Sequence, residues 1–434
     1  MIEKMTIDGL WWLAGKEGDA IPGILSYTPE GGQSLVIKDH RPRSIVEVLN
    51  SLCVPEGKPL APSVMFGRDS QNNPVTLHRC AEIGSSESQG LASKTFLVQE
   101  AFLGAHISNP PNEIFHSVQV DLDFLYRWLA LSPKQSGRFD EDTWTAIQTF
   151  TIEPPIEIDL GDCGLLSLRT FLAPSSEQNT NSGQYSLHHT SNAWWQFHEP
   201  IPFSEIESRL LALIRLISIF VQRPIFMRSC TLMDDQKRVK QDSAPSELPR
   251  HVALLRPRFR SPDDLRDPWP TSFIVPFCEV RDNLPKYIAR WMAYGRKYDM
   301  VLNLYFTELY ARNMPGEVRF LLLAQALEVY HRTSNPEDIH FAVRLNEIVS
   351  RHASLLAPII ADVNDFCLRV KNARNRFTHW GAVKPQDIAD NHLPAYLERM
   401  RRVLTTSILS DLAVQGNWTD RLIQPPLPQV IVYS

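Results

Sequence analysis

The sequence predicts an α+β multidomain protein, with a β-rich N-terminal domain over residues 1–278 and an all-α helical bundle over residues 281–425. Three observations lead to this prediction. The chain has 434 residues, which is more than one ordinary hydrophobic core holds. Short apolar segments bounded by turn residues dominate the first part of the chain. Near residue 281 the apolar period changes from two residues towards about 3.6, the period of an α-helix.

The composition is that of a soluble globular protein, and it restricts the kinds of partner. Apolar residues make up 43% of the chain, charged residues 21%, and the formal net charge is −5, so nucleic acid can bind only at a local basic patch. The six cysteines are scattered without a close pair, which favours a reducing compartment and argues against a zinc or disulfide scaffold. No signal peptide and no membrane-spanning apolar run is evident, so we expect a cytoplasmic protein with no membrane association.

The N-terminal part is predicted to consist mainly of strands. Residues 23–28 and 34–39 are expected to pair as a hairpin around a glycine-containing loop. Helices are predicted at 119–132 and at 203–222, where Ser204 is a suitable N-cap. The remaining predicted strands are 165–173, 184–189, 192–200, 224–233, 251–257 and 272–277, and the predicted polar or charged loops are 174–183 and 234–249.

Five consecutive helices with short connections are predicted after residue 281, and together they form a compact bundle. Pro336 favours a helix start at Ser334 or Asn335. The predicted helical segments are 281–313, 318–332, 334–353, 359–381 and 397–412. The tail that follows is too short to fold alone.

One segment of the bundle, residues 369–381, concentrates positive charge. No acidic residue interrupts it, although the whole chain is acidic. Its charged and titratable members are Arg369, Lys371, Arg374, Arg376 and His379. On a helix over 359–381, residues spaced three or four apart form the apolar face that packs into the bundle: Ile359, Val363, Phe366, Val370, Ala373 and Phe377.

Helical phase separates the polar residues of this segment into two groups. Arg374 lies at the margin of the apolar face, where a guanidinium group needs an acceptor. Asn375 and His379 are four residues apart on the far side, so they lie next to each other and point away from the bundle. The partner of His379 is therefore expected to be a ligand or another subunit. Gly381 is expected to follow the last helical residues as the C′ residue.

These side chains suit the cleavage of RNA without a metal ion. The reaction needs a base for the 2′-hydroxyl, an acid for the leaving 5′-oxygen, and cations for the charge of the phosphorane. Histidine serves as acid or base near neutral pH, and arginine binds phosphate through its planar fork of donors. One histidine per chain cannot supply both acid and base, whereas a two-fold dimer would combine two sets in one composite site.

The segment "RNRFTH", Arg374 to His379, resembles the R-N-x-x-x-H signature of HEPN domains, the higher-eukaryote-and-prokaryote nucleotide-binding helical bundles. Residues 9–37 resemble the opening of the N-terminal domain of ApeA-type abortive-infection proteins, in which that domain precedes a C-terminal HEPN domain. Residues 321–332, which include Glu328, are similar to the HEPN helix that precedes the motif. The resemblance is tight at the two motifs and loose between them.

The resemblance implies a prokaryotic anti-phage ribonuclease that cuts cellular RNA, with tRNA as a candidate substrate, and leaves 2′,3′-cyclic phosphate ends. It further implies a homodimer formed through the HEPN helices, no metal or other cofactor, and a phage-derived trigger sensed by the N-terminal domain. The motif assigns catalytic positions to Arg374, Asn375 and His379. Glu328 is a supporting candidate, and the candidate RNA-binding residues are Arg369, Lys371, Arg376 and Thr378.

Two other interpretations stay open on the sequence alone. In the first, the basic helix belongs to a non-catalytic module that binds RNA or a protein partner, and its RNA binding weakens as salt rises. In the second, the N-terminal part is a carbohydrate-binding β-sandwich whose platform is formed by Trp11, Trp12, Trp194 and Trp195. The sequence contains no P-loop, G-x-G-x-x-G or G-x-S-x-G motif, so nucleotide hydrolysis, dinucleotide chemistry and lipase-type acyl transfer have no support.

Overall fold

A computed structural model describes residues 4–28, 31–39, 64–88, 91–131, 134–140, 145–174, 187–239, 248–257, 273–310, 313–379, 388 and 390–423. The chain divides into two compact units. The first unit comprises Met1–Tyr126, Leu131–Leu210 and Phe226–Asp267, and the second comprises Arg127–Ala130, Leu211–Ile225 and Pro268–Ser434. The first is rich in strands and the second in helices, which confirms the predicted α+β fold class.

The described part of the first unit contains strands β1 Met5–Leu13, β2 Ile21–Thr28, β3 Gly32–Asp39, β4 Val64–Asp69, β5 Pro74–Ser88, β6 Leu91–Leu103, β7 Ile114–Leu122, β8 Lys134–Asp140, β9 Thr145–Thr151, β10 Ile156–Asp159, β11 Leu165–Pro174, β12 Leu187–Pro202, β13 Met227–Val239 and β14 Leu248–Leu255. One antiparallel sheet has the order β10-β11-β12-β7-β13-β14-β6-β3-β2-β1-β4-β5, and β8 pairs with β9 separately. Because β5 also pairs with β6, the strands from β6 through β5 close into a barrel.

The predicted hairpin at 23–28 and 34–39 is confirmed by the pairing of β2 with β3, which places Thr28 opposite Gly32. Gly32 has a φ of 88°, a left-handed conformation that glycine adopts without a steric cost. Residues 29 and 30 of the predicted loop lie outside the described residues. The loop predicted at 174–183 and the start of the strand predicted at 184–189 also lie largely outside them.

Trp11 lies in the barrel core between two glycines. Its indole is fully buried and donates its Nε1 hydrogen to the carbonyl oxygen of Gly23 at 3.0 Å. On the neighbouring strand Gly67 is paired with Trp11, and a Cβ at Gly67 would approach the indole ring to 2.3 Å. The missing side chain at Gly67 therefore makes the space that the ring occupies. Trp12 is also buried, and Trp194 is covered by the guanidinium of Arg169 at 3.9 Å.

The helix predicted at 119–132 is wrong. Residues 119–122 belong to β7, which ends at Leu122, and the helix is limited to the short α1 Leu125–Leu129. Along β7 the buried residues Val118, Val120 and Leu122 alternate with partly exposed Gln119 and Asp121. This is the period of two that a strand requires, and the apolar residues around it obscured the pattern. The helix predicted at 203–222 is confirmed as α2 Phe203–Val221.

Two further predictions near the end of the first domain are wrong. The charged loop predicted at 234–249 is wrong at its two ends, because β13 continues to Val239, which pairs with Leu248 of β14. Residues 240–247 lie outside the described residues. Charged side chains are compatible with a strand face that meets water, because the pairing uses backbone groups. The strand predicted at 272–277 is replaced, within the described residues, by an irregular segment and the short helix α3 Phe277–Val280.

The second unit continues with helices α4 Leu284–Lys297, α5 Asp299–Tyr310, α6 Gly316–Ser334, α7 Phe341–Arg351, α8 Ala353–Leu356, α9 Val363–His379, α10 Leu393–Asp411 and α11 Trp418–Ile423. Helix α6 lies at the centre and packs against α5, α7, α9 and α10. Within the described residues, no helix is both long and apolar enough to cross a membrane.

Several helix boundaries differ from the prediction for local reasons. The single helix predicted at 281–313 is divided at Tyr298 into α4 and α5. Helix α9 begins at Val363 and not at 359, because the Asp362 side chain accepts the backbone N–H of Asp365 at 2.9 Å as an N-terminal cap. Ile359 therefore lies before the helix and is only half-buried. Gly381 and the tail beyond residue 423 lie outside the described residues.

A buried ion-pair network fixes the central helix. Glu308 of α5 is fully buried, with Arg319 of α6 at 2.6 Å and Arg401 of α10 at 2.5 Å. A buried carboxylate is tolerated only when such partners surround it. The network ties α6 to its neighbours on two sides, and α6 also carries Glu328.

Candidate active site

Helix α9 carries the three motif residues near its C-terminal end. Phe366, Val370 and Ala373 are buried on the side that packs into the bundle, whereas Asn375 and His379 are exposed. The exposed side is the one that helical phase predicts, since residues four apart share a face.

Arg374 is half-buried at the margin of this helix and contacts two other helices. Its Nη2 atom donates a hydrogen bond to Oε2 of Glu328 on α6 at 2.7 Å. Its Cζ atom lies 4.8 Å from the ring centroid of Phe341 on α7, within the range of a cation–π contact. Glu328 is therefore the acceptor that the sequence analysis expects for Arg374. The hydrogen bond uses one nitrogen of the guanidinium, which has five N–H donors in all.

Glu328 also binds a second arginine. Its other oxygen, Oε1, lies 3.0 Å from Nη2 of Arg332, four residues further along α6. One carboxylate thus joins two guanidinium groups. Arg332 is not among the site residues predicted from the sequence, although a glutamate followed by an arginine at i+4 on a predicted helix is the signal that identifies such a pair.

Phe341 is held in place by a buried arginine beneath the loop 335–340. Arg344 is 1% exposed and donates hydrogen bonds to the carbonyl oxygens of Ile339 at 3.0 Å and Asn335 at 3.3 Å, and also to that of Glu337. These bonds hold residues 335–340 out of the helix, so α7 begins at Phe341 and not at Ser334 as predicted. This role of Arg344 could not be predicted from the sequence, because a buried arginine has no local sequence signature.

The same arginine fixes a histidine of α6. Nη1 of Arg344 lies 3.2 Å from Nδ1 of His331, and Nε2 of His331 lies 2.7 Å from Oε2 of Glu347. A guanidinium group only donates, so Nδ1 of His331 is the acceptor and Nε2 carries the hydrogen that is donated to Glu347. Both ring nitrogens of His331 thus have hydrogen-bond partners inside the bundle.

The other polar motif residues face water. His379 is the last residue of α9, and neither it nor Asn375 has a hydrogen bond to another residue within the described part of the chain. Thr378 is exposed, and its Oγ1 donates to the carbonyl oxygen of Arg374 at 2.8 Å, a bond within the helix. The imidazole of His379 is therefore open to a ligand or a second subunit.

The remaining cations of the segment differ in how they are paired. Arg369 forms an ion pair with Asp365 one turn earlier, with Nε 2.8 Å from Oδ2. Lys371 is exposed, and Arg376 lies over the ring of Phe377 at 4.6 Å. The segment has no acidic residue of its own, yet Asp365 and Glu328 neutralise part of its charge from outside.

Two family models match the chain. The ApeA N-terminal domain 1 model matches residues 6–291, and the Apea-like HEPN model matches residues 321–416. The first match alone covers well over half of the chain. The chain belongs to the ApeA family. The pairing of these two domains is that of an anti-phage defence protein of the HEPN class, as the sequence motifs indicate.

The HEPN match begins within α6 and ends beyond α10, so it contains Glu328, Arg332 and all three motif residues. No curated protein and no solved structure matches the chain. The contacts of the motif residues in this HEPN domain are therefore described from this structure, without comparison to a relative.

The exposed face of α9 in the HEPN domain also carries apolar groups. Leu368 is 47% exposed and lies seven residues before Asn375, on the same side of the helix. Asn346 of α7 donates to Asn364 of α9 at 3.0 Å, while Phe341 of α7 lies under Arg374, so the two helices run antiparallel.

Val343 lies between these two contacts on α7 and is 46% exposed. The surface formed by Leu368, Asn375 and His379 on one side of α9 is here called the α9 face. In the described part of the chain, no group of three or more His, Cys, Asp or Glu side chains is placed to hold a metal ion.

Proposed function

We propose that the chain is an endoribonuclease of anti-phage defence that cleaves cellular RNA, with tRNA as a candidate substrate. The reaction would use no metal ion or other cofactor and leave 2′,3′-cyclic phosphate ends. The observation that carries this proposal is the arrangement of α9: an exposed His379 shares one helix end with Arg374, whose guanidinium donates to Glu328 at 2.7 Å. The end of α9 thus combines His379, which can act as a general acid or base, with Arg374, which can bind a phosphate and is held in position by Glu328.

In the proposed reaction, His379 removes the proton from a 2′-hydroxyl group, and the oxygen attacks the adjacent phosphorus atom. Arg374 binds the phosphate oxygens and stabilises the charge of the phosphorane through hydrogen bonds aimed at that charge. Asn375, four residues before His379, orients the imidazole or the phosphate. The 5′-oxygen leaves with a proton, and the phosphate closes as a 2′,3′-cyclic ester.

A second copy of the chain supplies the acid. Each chain offers one His379, and the α9 face also exposes the apolar side chain of Leu368. A two-fold axis through this face would bring each apolar side chain against the same surface of the other copy and place two His379 residues near one phosphate. One imidazole then acts as base and the other as acid.

The outer cations of the segment would bind RNA phosphates that lie some distance from the cleaved bond. Lys371 is exposed and Arg376 is half-exposed, and both can contact phosphates while leaving the reacting groups to α9. Arg369 and Thr378 already have partners on their own helix, so they would contribute less to RNA binding. The ApeA N-terminal domain is proposed to sense a phage-derived trigger and to regulate cleavage.

The test is to sequence RNA ends from phage-infected cells that produce the wild type, His379→Ala or Arg374→Ala, since a phage-derived trigger is proposed to regulate cleavage. The expected result is new 2′,3′-cyclic phosphate ends with the wild type only. His392→Ala is the matched control, because His392 is exposed at the start of α10, away from α9 in sequence. Purified protein should cut tRNA equally well in EDTA.

Activity that persists in both motif variants, or that disappears in EDTA, would contradict the proposal. A non-catalytic binding module would instead leave all RNA at full length and bind it in a salt-dependent manner.

A further inference from the structure

We propose that Arg332 binds a second RNA phosphate, next to the phosphate held by Arg374, and that Glu328 sets the separation of the two guanidinium groups. The inference rests on the proposed ribonuclease function, because it assigns the part of the RNA that flanks the cleaved bond. It adds to that function a binding residue that lies outside the R-N-x-x-x-H motif.

The geometry of Glu328 is the first support. Oε2 of Glu328 accepts from Nη2 of Arg374 at 2.7 Å, and Oε1 lies 3.0 Å from Nη2 of Arg332. The two guanidinium groups therefore lie close together, because each contacts one oxygen of the same carboxylate. Each contact uses one nitrogen, so both groups keep donors for an anion.

The exposure of the three side chains is the second support. Glu328 is 13% exposed, Arg374 is 35% exposed and Arg332 is 56% exposed, so the carboxylate lies beneath and the cations lie towards water. One carboxylate against two guanidinium groups leaves one net positive charge at the surface. An anion that approaches this point meets the cations before it meets the carboxylate.

The other acidic residues near Arg332 do not neutralise this positive charge. Glu347 is bound to His331 at 2.7 Å, and Arg344 is buried under the loop 335–340. Glu337 and Asp338 are exposed in this loop, and within the described residues neither forms an ion pair with Arg332. Arg332 therefore has Glu328 as its partner and the solvent in front of it.

Single-stranded RNA fits this pair of cations because its phosphates repeat at a short, regular spacing. Arginine binds a phosphate through two parallel N–H donors, so two arginines held at a fixed separation can bind two successive phosphates. A purely structural Arg332 would act only by holding Glu328, and through it Arg374. The two roles predict different results for substrates with one phosphodiester and with two.

The experiment compares Arg332→Gln with wild type on a dinucleoside monophosphate and on a trinucleoside diphosphate of the same base. The variant should cleave the shorter substrate like wild type, whereas KM for the longer one should rise roughly tenfold, with little change in kcat. Arg296→Gln removes the same charge from an exposed position on α4 and should change neither substrate. An equal loss on both substrates would overturn the inference in favour of a structural role.

A binding measurement separates this inference from the proposed function. In the His379→Ala background, the full-length chain is titrated with a fluorescent oligouridylate at increasing salt. Loss of one phosphate contact should reduce the slope of log affinity against log salt by about 0.7 in Arg332→Gln. An unchanged slope overturns the inference. A reduced slope, together with no RNA cleavage by the wild type in phage-infected cells, would leave the phosphate site standing and refute the ribonuclease.

Discussion

Arg374 and Glu328 lie 2.7 Å apart although 46 residues separate them in the sequence. The contact joins α9 to the central helix α6, and the ring of Phe341 supports the guanidinium from α7. Arg374, the residue proposed to bind the phosphate, is therefore positioned by three helices. His379, in contrast, is the last residue of α9, and within the described residues no hydrogen bond from another helix positions it.

Glu328→Gln should lower kcat for RNA cleavage by roughly 10- to 100-fold, because a neutral amide holds Arg374 less firmly than a carboxylate does. RNA should still bind, since the change removes a negative charge from the surface. Steady-state kinetics with a defined RNA would measure both effects. Glu317→Gln, at an exposed position in the first turn of the same helix, is the control. Full activity of the Glu328 variant would show that Arg374 needs no anchor.

Leu368→Asp should weaken the dimer and abolish cleavage although every motif residue is retained, since a charge cannot be buried against an apolar surface without a partner. Light scattering after size exclusion, together with RNA cleavage, would report the two effects. Met300→Asp introduces the same charge at another exposed apolar residue of the bundle and should leave both properties unchanged. A monomeric wild type with full activity would contradict the composite site.

His352 should make the bundle less stable at low pH. Burial is the main cause that lowers the pKa of His352, Arg351 lowers it further, and Asp411 opposes them. The unfolded chain then binds a proton at a higher pH than the folded chain does. Stability is complete above the unfolded pKa of about 6.5 and falls as the pH decreases below it.

The His352→Leu variant should lose less stability than wild type between pH 7.5 and pH 5.5, values roughly one unit either side of the ordinary histidine pKa. The Nε2 atom of His352 is buried without a hydrogen-bond partner, so the substitution removes no such bond. Thermal unfolding followed by far-ultraviolet circular dichroism gives the comparison. The exposed residue in His392→Leu provides the control, and equal pH dependence in wild type and His352→Leu would refute the assignment.

Gly67→Ala should destabilise the barrel by about 1–3 kcal/mol, because the new Cβ would lie 2.3 Å from the indole of Trp11. Urea unfolding followed by tryptophan fluorescence, to which all ten tryptophans contribute, measures the change in the free energy of unfolding. Gly84→Ala is the matched control on a strand of the same barrel, where a Cβ would meet nothing within 4 Å. Unchanged unfolding of the Gly67 variant would mean that the Trp11 ring can move away at no cost.

Local periodicity predicts what depends on one element. The buried side of α9 and the exposure of Asn375 and His379 follow from helical phase, because every helix has the same geometry. Phase also places Arg374 at the margin and predicts that it needs an acceptor. It cannot say which of the chain's acidic residues is that acceptor, because Glu328 comes from another helix.

The errors have a related cause. Residues 119–122 carry enough apolar side chains for a helix, and their strand conformation is decided by pairing with β12 and β13, whose sequences lie far away. The start of α7 is likewise moved to Phe341 by the buried Arg344, whose hydrogen bonds to the loop replace helical ones. Long-range partners overrule the local preference in both places.

The sequence by itself determined the α+β division and the outward-facing histidine, since these depend on short-range periodicity, and the resemblance of its motifs indicated the family. Only the tertiary structure decided that β5 returns to β6 and closes the barrel, that Glu328 joins Arg374 to Arg332, and that Arg344 fixes Phe341 beneath the site. The physical reason is that barrel closure and ion pairs between helices depend on contacts between segments that are distant in the sequence. The free energy of such contacts cannot be inferred from the residues next to each segment in the sequence.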